Sequence, residues 1–170
     1  MSSAIESPGR SRPWQAGAEQ VLVRLMFTPG SNALEPTHAF LTSYTKERLP
    51  PSLAQRICVA AYELLANATN YATIGGDVVL EIVQGLNQLA VRATNSTIPA
   101  RASILRQQVE KITGDPEGTF VAELRRPLSG SLSRPMLGLA RIAHEVGLDL
   151  RLDTEGERVT VTAIPNGART

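Results

Sequence analysis

Apolar residues repeat with two different spacings along this chain, one typical of strands and one typical of helices. Apolar residues recur at every second position in stretches bounded by Gly, Pro or Asn, which predicts strands, and at every third or fourth position elsewhere, which predicts helices. The turn signals Pro-Gly, Gly-Gly and Gly-Leu-Asn separate several of these stretches. The predicted strands are 21–28, 77–83, 88–94, 148–153 and 158–164, and the predicted helices are 33–49, 52–72, 100–112, 119–128 and 136–146.

The order of these elements predicts the fold class. Two pairs of neighbouring strands are each joined by a short turn and form hairpins, and the helices between them must cover the apolar side of a sheet. We therefore expect an α/β chain of the α+β two-layer sandwich type. Its sheet is mixed and largely antiparallel, with about five strands and with the helices packed on one face.

Composition separates one domain from two tails. Residues 1–20 are rich in Ser, Pro, Gly and Arg and carry the isolated Trp14, so they predict a flexible N-terminal tail. Residues 21–165 form one predicted domain, and residues 166–170 form a C-terminal tail. At 170 residues the chain can bury a stable core, which must be largely aliphatic because aromatic residues make up only 4%.

Charge and residue counts argue against several classes of function. With 17 Lys and Arg against 16 Asp and Glu, the net charge of +1 argues against bulk electrostatic binding to nucleic acid or to a membrane surface. No apolar run is long enough to span a bilayer, and the first residues lack the apolar core of a secretory signal, so we expect a cytoplasmic protein. Cys58, the sole cysteine, is predicted to be a core thiol. His38 and His144 form no zinc motif, and His144 is predicted to have a structural role, at a spacing on the last helix that suits the core.

The segment 60–72, AAYELLANATNYA, is the centre of the predicted domain. Its Leu and Ala residues allow tight packing on almost all sides, and Ser52 is the predicted N-cap of the long helix that carries it. Glu63 and Asn67 lie four residues apart, which places a carboxylate and a carboxamide on one face of this helix. Burying two polar groups has a free-energy cost unless something binds them.

The Glu63-x-x-x-Asn67 pair resembles the N-box of the GHKL nucleotide-binding fold, which is shared by histidine kinases, anti-sigma-factor kinases, type II topoisomerases and Hsp90-type chaperones. The resemblance implies that Asn67 holds Mg²⁺ against the phosphates of ATP. It also implies that Glu63 acts as a base or orients the attacking group. The same spacing occurs in helices where the Glu lies near a cap and the Asn faces solvent, so that interpretation stays open.

A second stretch resembles the GHKL turn that receives adenine. In the family an Asp at this place accepts a hydrogen bond from the adenine amino group, and two glycines follow it. Here Asn95 stands at the Asp position and both glycines are missing. A carboxamide oxygen can still accept that hydrogen bond, but without charge assistance. Thr97 adds a Cβ where the backbone has to pass close to the base.

A third stretch resembles the Gly-rich turn that opens the last GHKL helix, where backbone N–H groups and the helix dipole hold phosphate. Leu137, Gly138 and Leu139 match the family pattern. The upstream glycines are replaced by Arg134 and Pro135, and proline removes a backbone donor. Arg134 either contacts phosphate through its side chain or lies in solvent.

Within the GHKL proteins, the chain is most similar to the SiaB-type group of small stand-alone relatives of anti-sigma kinases. The similarity rests on TNST at 94–97 and on LGLARIA at 137–143, and it covers roughly residues 21–165. It implies a bacterial signalling protein that phosphorylates a Ser or Thr of a small STAS-like or antagonist partner, or that sequesters the partner. Related kinases pair, but nothing in this sequence decides for or against a homodimer.

Two hypotheses therefore remain at this point. In the first, the chain is a partner-binding regulator with weak or absent ATP use, which contacts its partner through the helices around 33–49 or 100–128. In the second, it is an active Ser/Thr protein kinase that uses ATP and Mg²⁺. The degraded second and third elements favour the regulator, and the intact Glu63 and Asn67 pair favours the kinase.

Overall fold

The computed structural model describes residues 19–30, 32–85, 88–127 and 135–165. The predicted tails, apart from Glu19 and Gln20, and the predicted phosphate contact Arg134 lie outside the described residues. The elements, in chain order, are β1 (Gln20–Phe27), α1 (Leu34–Lys46), α2 (Pro51–Tyr71), β2 (Val78–Gln84), β3 (Leu89–Ser96), α3 (Pro99–Gly114), α4 (Pro116–Arg125), α5 (Pro135–His144), β4 (Leu148–Glu155) and β5 (Arg158–Pro165).

The strands form one five-stranded sheet in the order β1-β2-β3-β5-β4. Both predicted hairpins, β2 with β3 and β4 with β5, are present. Every pairing between the described strands is antiparallel, so the two-layer fold class is confirmed, while the expected mixed character of the sheet is not seen. The strands β1 and β4 form the two edges.

The core lies between one face of the sheet and the helices. On β2, Val78, Leu80 and Ile82 point to this inner face and are at most 1% exposed. The helix α2 crosses the middle of the sheet, and its buried residues include Ile57, Leu64 and the predicted core thiol Cys58. Alternation along the strands therefore places a continuous apolar surface under α2.

The helices α2 and α4 begin with proline at a different residue from the predicted one, and of these two only α2 lacks a side-chain cap. Ser52 is not the N-cap of α2, because the helix begins at Pro51 and Pro50 occupies the capping position without a side-chain hydrogen bond. Proline suits the first helical position, where no backbone donor is needed and its φ angle is already helical. The helix α4 likewise begins at Pro116, where the Asp115 carboxylate accepts a hydrogen bond of 2.9 Å from the Gly118 N–H.

Three apolar or aromatic residues with helical spacing are more exposed than their pattern predicts. Ile104 on α3 is 49% exposed and Phe40 on α1 is 46% exposed. His144, predicted to be structural at a spacing that suits the core, is exposed near the end of α5, where it stacks on Phe120 with ring centroids 5.1 Å apart. Periodicity identifies the apolar side of a helix but does not say how far a neighbouring element covers that side.

Candidate functional site

Glu63 forms an ion pair with a residue from a distant part of the chain. The Arg141 Nη1 atom donates to Glu63 Oε1 at 2.7 Å, which joins α5 to α2. The Glu63 side chain is 14% exposed and that of Arg141 is 41% exposed. The Nε atom of Arg141 also lies 3.1 Å from Glu145 Oε2, one turn further along α5. The candidate base is therefore already engaged by a cation of the same chain.

The backbone of α5 lies close to the Glu63 side chain at Gly138. A Cβ atom at this position would overlap Glu63 Oε2 and would lie 3.2 Å from Glu63 Cδ. Glycine leaves room for the carboxylate in its present position, and any Cβ here would require the end of the Glu63 side chain to shift. The next residue, Leu139, is 0% exposed in the core, while Leu137 is partly buried. The Leu-Gly-Leu run therefore has a packing explanation, because it lets α5 lie against the Glu63 side of α2.

Asn67 is buried without complete hydrogen bonding. It is 3% exposed, and its Oδ1 atom has no hydrogen-bond partner among the described residues. Leaving a buried acceptor unsatisfied costs about 1–3 kcal/mol. An amide oxygen is one of the ligands that Mg²⁺ takes in proteins, so Asn67 fits the magnesium position that the N-box resemblance implies. The solvated Asn that the plain helix interpretation requires is wrong.

Asn95 and Thr97 are bonded within the domain. Asn95, on β3, is 3% exposed, and its Nδ2 atom donates to the Ser96 carbonyl at 3.3 Å. Thr97 is 1% exposed; its hydroxyl donates to the Tyr71 carbonyl at 2.7 Å and its N–H donates to the Glu157 carbonyl at 2.8 Å. Thr97 therefore links the end of α2 to the turn between β4 and β5.

The structure brings together some of the predicted site residues and leaves others apart. Glu63 and Gly138 are in contact, and Thr97 is tied to the last residue of α2. Leu137 and Gly138 lie in the first turn of α5, where N–H groups have no partner within the helix. Their predicted phosphate contact, the adenine contact of Asn95 and the magnesium contact of Asn67 stay predictions.

Arg141 is the residue beside the candidate site that the sequence analysis missed. A signal for it is present, because Arg141 follows Gly138 by three residues and therefore lies on the same face of α5. The glycine marks a close approach to another element, and a cation on the same face can pair with whatever carboxylate that element carries.

A second charged cluster lies on the outer face of the sheet, away from the helices. Glu81 is 5% exposed and accepts from Arg24 and Arg92 on the flanking strands, both at 2.5 Å. Burial raises the pKa of Glu81, but the hydrogen bonds and charges of Arg92 and Arg24 outweigh burial, so the pKa lies below its usual 4.5. The carboxylate stays ionised and holds three strands together, a structural role.

Two cavities open away from the predicted site. The larger, of about 820 Å³, is lined by residues that include Arg56 and His144, and the smaller, of about 280 Å³, lies on the outer face beside Arg158. Neither is lined by the predicted site residues of the described ranges. Within those ranges no group of three His, Cys, Asp or Glu residues could hold a metal, and no helix has the length and hydropathy to cross a membrane.

Comparison with known proteins supports the fold. No protein-family model and no curated protein sequence matches this chain. A chain in the crystal structure of the SiaB–SiaC complex from Pseudomonas aeruginosa aligns with a TM-score of 0.61 at 19% identity, over 85% of this chain and 89% of that chain. A histidine kinase from Burkholderia phymatum STM815 aligns with a TM-score of only 0.41 at 15% identity, over 85% and 71%. The first alignment confirms the two-layer fold, because this chain shares its fold with a chain of the SiaB–SiaC complex.

Proposed function

We propose that this chain is a bacterial signalling regulator that binds a small STAS-like or antagonist partner in a switch, with weak or absent use of ATP. The observation that carries this proposal is the ion pair between Glu63 and Arg141. A general base has to be free to accept a proton from the attacking group. A carboxylate that is 14% exposed, bonded to a guanidinium and packed against Gly138 is poorly placed to do so.

The adenine end of the predicted site supports the same conclusion. The Thr97 hydroxyl and N–H are both used in bonds within the domain, and the Nδ2 atom of Asn95 contacts the adjacent carbonyl. A nucleotide base would have to be recognised by the remaining Asn95 oxygen without charge assistance. The helix α5 begins at Pro135, which supplies no N–H for phosphate.

Partner binding is supported by the fold neighbour and by the surface. The similar chain comes from a complex of two proteins, SiaB and SiaC. On this chain, Phe40 of α1 stacks on Tyr44 while 46% exposed, and Ile104 on α3 and Leu124 on α4 are 49% and 51% exposed. Exposed apolar side chains on these helices suit the two contact regions that the sequence predicts.

The active kinase remains the second candidate, because the buried Asn67 Oδ1 lacks a partner. In that case Asn67 would hold Mg²⁺, which supplies charge neutralisation at the phosphates of ATP. Asn95 would accept from adenine, and the N–H groups of Leu137, Gly138 and Leu139, with Arg134, would hold phosphate. Glu63 could act as base only after exchanging Arg141 for the incoming hydroxyl.

The experiment uses STAS-domain proteins of the source bacterium. Each is titrated against the purified chain by calorimetry, and each is incubated with the chain and radiolabelled Mg-ATP. The regulator predicts binding to one partner without transfer of label. The Phe40→Ala and Ile104→Ala variants, matched in exposure, then identify which helix makes the contact. Transfer of label that is lost in Glu63→Gln would establish the kinase instead, and absence of any binding partner would refute the proposal.

A further inference from the structure

The larger cavity, of about 820 Å³, is lined only by residues that the structure describes. Its walls are the first half of α2, the junction of α3 with α4, the end of α5 with the turn that follows, and the start of β4. This volume lies within the range of sites that hold small molecules. On α2 the cavity is lined by Arg56, seven residues before Glu63 and about 10 Å from it along the helix axis, so it is separate from the candidate site.

Arg56 is a cation that is held in place but has no counter-ion within the described ranges. Its Nε and Nη2 atoms donate at 2.8 Å to the carbonyls of Val146 and Gly147, in the turn after α5. The side chain is half-buried, and no carboxylate of the described residues forms an ion pair with it. The Nη1 atom and one N–H of Nη2 are therefore left as a fork that fits two oxygens of a carboxylate or a phosphate.

The other charged and titratable residues of the lining leave the Arg56 side of the cavity open to an anion. The exposed His144 ring adds nitrogens that can donate or accept a hydrogen bond. Asp149 lies between Leu148 and Leu150, whose side chains belong to the core, so its carboxylate is directed to the opposite face of the sheet. Glu117 is exposed in the first turn of α4 and is the one carboxylate left at the rim of the described lining.

We propose that this cavity binds a small organic oxyanion, a carboxylate or phosphate group joined to an apolar body. The oxyanion pairs with the Nη atoms of Arg56, which have no other partner among the described residues. The apolar body lies against the partly exposed Pro116 and Ala143. An inorganic ion alone would leave most of the 820 Å³ unfilled. This ligand site is additional to the proposed binding of a partner protein.

NMR titration of the full, nitrogen-15-labelled chain tests the proposal with three probes that share one ring. Benzoate carries a carboxylate, phenyl phosphate carries a phosphate, and benzamide has the shape of benzoate without its charge. At millimolar concentration, at least one of the two anions should shift the Arg56 Nε–H signal and the Gly147 amide signal, and benzamide should shift neither. A response to one anion alone identifies the oxyanion that the cavity takes.

Two variants with the same change of charge test the position of the anion. Glu117→Gln removes the negative charge at the rim and should tighten binding of the responding anion several-fold. The control is Glu35→Gln, because Glu35 is also an exposed carboxylate in the first turn of a helix but lies outside the lining. It should leave the affinity unchanged. Both substitutions are at exposed positions, so the comparison avoids loss of the bonds that Arg56 makes to the turn.

Three results would overturn the proposal. The first is no shift of the Arg56 and Gly147 signals by either anion at millimolar concentration. The second is an equal shift of these signals by benzamide and benzoate, because a site built on a guanidinium must distinguish them. The third is an equal effect of Glu117→Gln and Glu35→Gln on the affinity, which would mean that the anion is bound elsewhere on the chain.

Discussion

The contact between Gly138 and Glu63 predicts that Gly138→Ala changes the stability of the domain in opposite directions in the presence and in the absence of the Glu63 side chain. Placing Ala at position 138 puts a Cβ into the Glu63 carboxylate, 3.2 Å from Cδ. Glu63 must then rotate away and give up the 2.7 Å bond from Arg141, or α5 must move off α2. Gly138→Ala should therefore destabilise the domain even though Ala favours a helix more than Gly does.

The magnitudes follow from the local geometry. Replacing Gly by Ala in a helix gains up to about 1 kcal/mol. Displacing a carboxylate that is 14% exposed from its partner costs about 1–3 kcal/mol, because the group is left incompletely bonded. The net loss in the wild-type background is therefore about 1 kcal/mol. In a Glu63→Ala background nothing overlaps the new methyl group, and the same substitution should stabilise by up to about 1 kcal/mol.

Urea unfolding of the four proteins in this double-mutant cycle gives the coupling between positions 63 and 138. We expect about 2 kcal/mol, with opposite signs of the Gly138→Ala effect in the two backgrounds. Equal effects of Gly138→Ala in both backgrounds would mean that α5 does not approach Glu63 closely. That result would also remove the structural basis for treating Glu63 as engaged.

Three further predictions concern single side chains. Arg56 donates at 2.8 Å to the carbonyls of Val146 and Gly147, so Arg56→Ala should lower the free energy of unfolding in urea titrations by about 2 kcal/mol. A loss below about 0.5 kcal/mol, which is typical of surface substitutions, would contradict these hydrogen bonds. Asn67→Ala should change that free energy by less than about 1 kcal/mol, because removing an unsatisfied oxygen offsets lost packing, and a larger loss would mean that the carboxamide has a partner. Folding lowers the pKa of Glu81, so the stabilisation by its carboxylate is present above pH 4.5 and is lost as the pH falls through the folded-state pKa. The difference in free energy of unfolding between wild type and Glu81→Gln should therefore shrink over that range. A constant difference would refute the ion pairs of Glu81 with Arg24 and Arg92 as its cause.

The fold could be predicted because its signals are local. Each strand and helix carries its own period, and the turns at Gly30 and Gly75, with φ angles of 86° and 81°, are marked by residues that tolerate positive φ. The start of α2 shifted because proline at the first helical position replaced the predicted side-chain cap, whereas α4 begins at Pro116 with Asp115 as its side-chain cap. Exposure of Ile104 and Phe40 depends on what packs beside each helix, which no local pattern contains.

The candidate site could be predicted only in part because its contacts join distant segments. Burial of Asn67 followed from the Ala and Leu residues around it. The pairing of Glu63 with Arg141 spans 78 positions and depends on how α5 packs on α2. The internal bonds of Thr97 likewise need the end of α2 and the β4–β5 turn in place. A motif identifies residue types, but tertiary packing decides whether a side chain is available to a ligand.

Calorimetric titration of Mg-ATP into the full chain tests the central claim most directly. The Asn67→Ala variant is the control, because it removes the buried, unsatisfied oxygen that the N-box resemblance assigns to magnesium and is expected to fold normally. The account predicts no binding at micromolar ATP, and the same weak or absent heat for both proteins at millimolar ATP. Micromolar binding by the wild type that is lost in Asn67→Ala would contradict the account and establish a working nucleotide site.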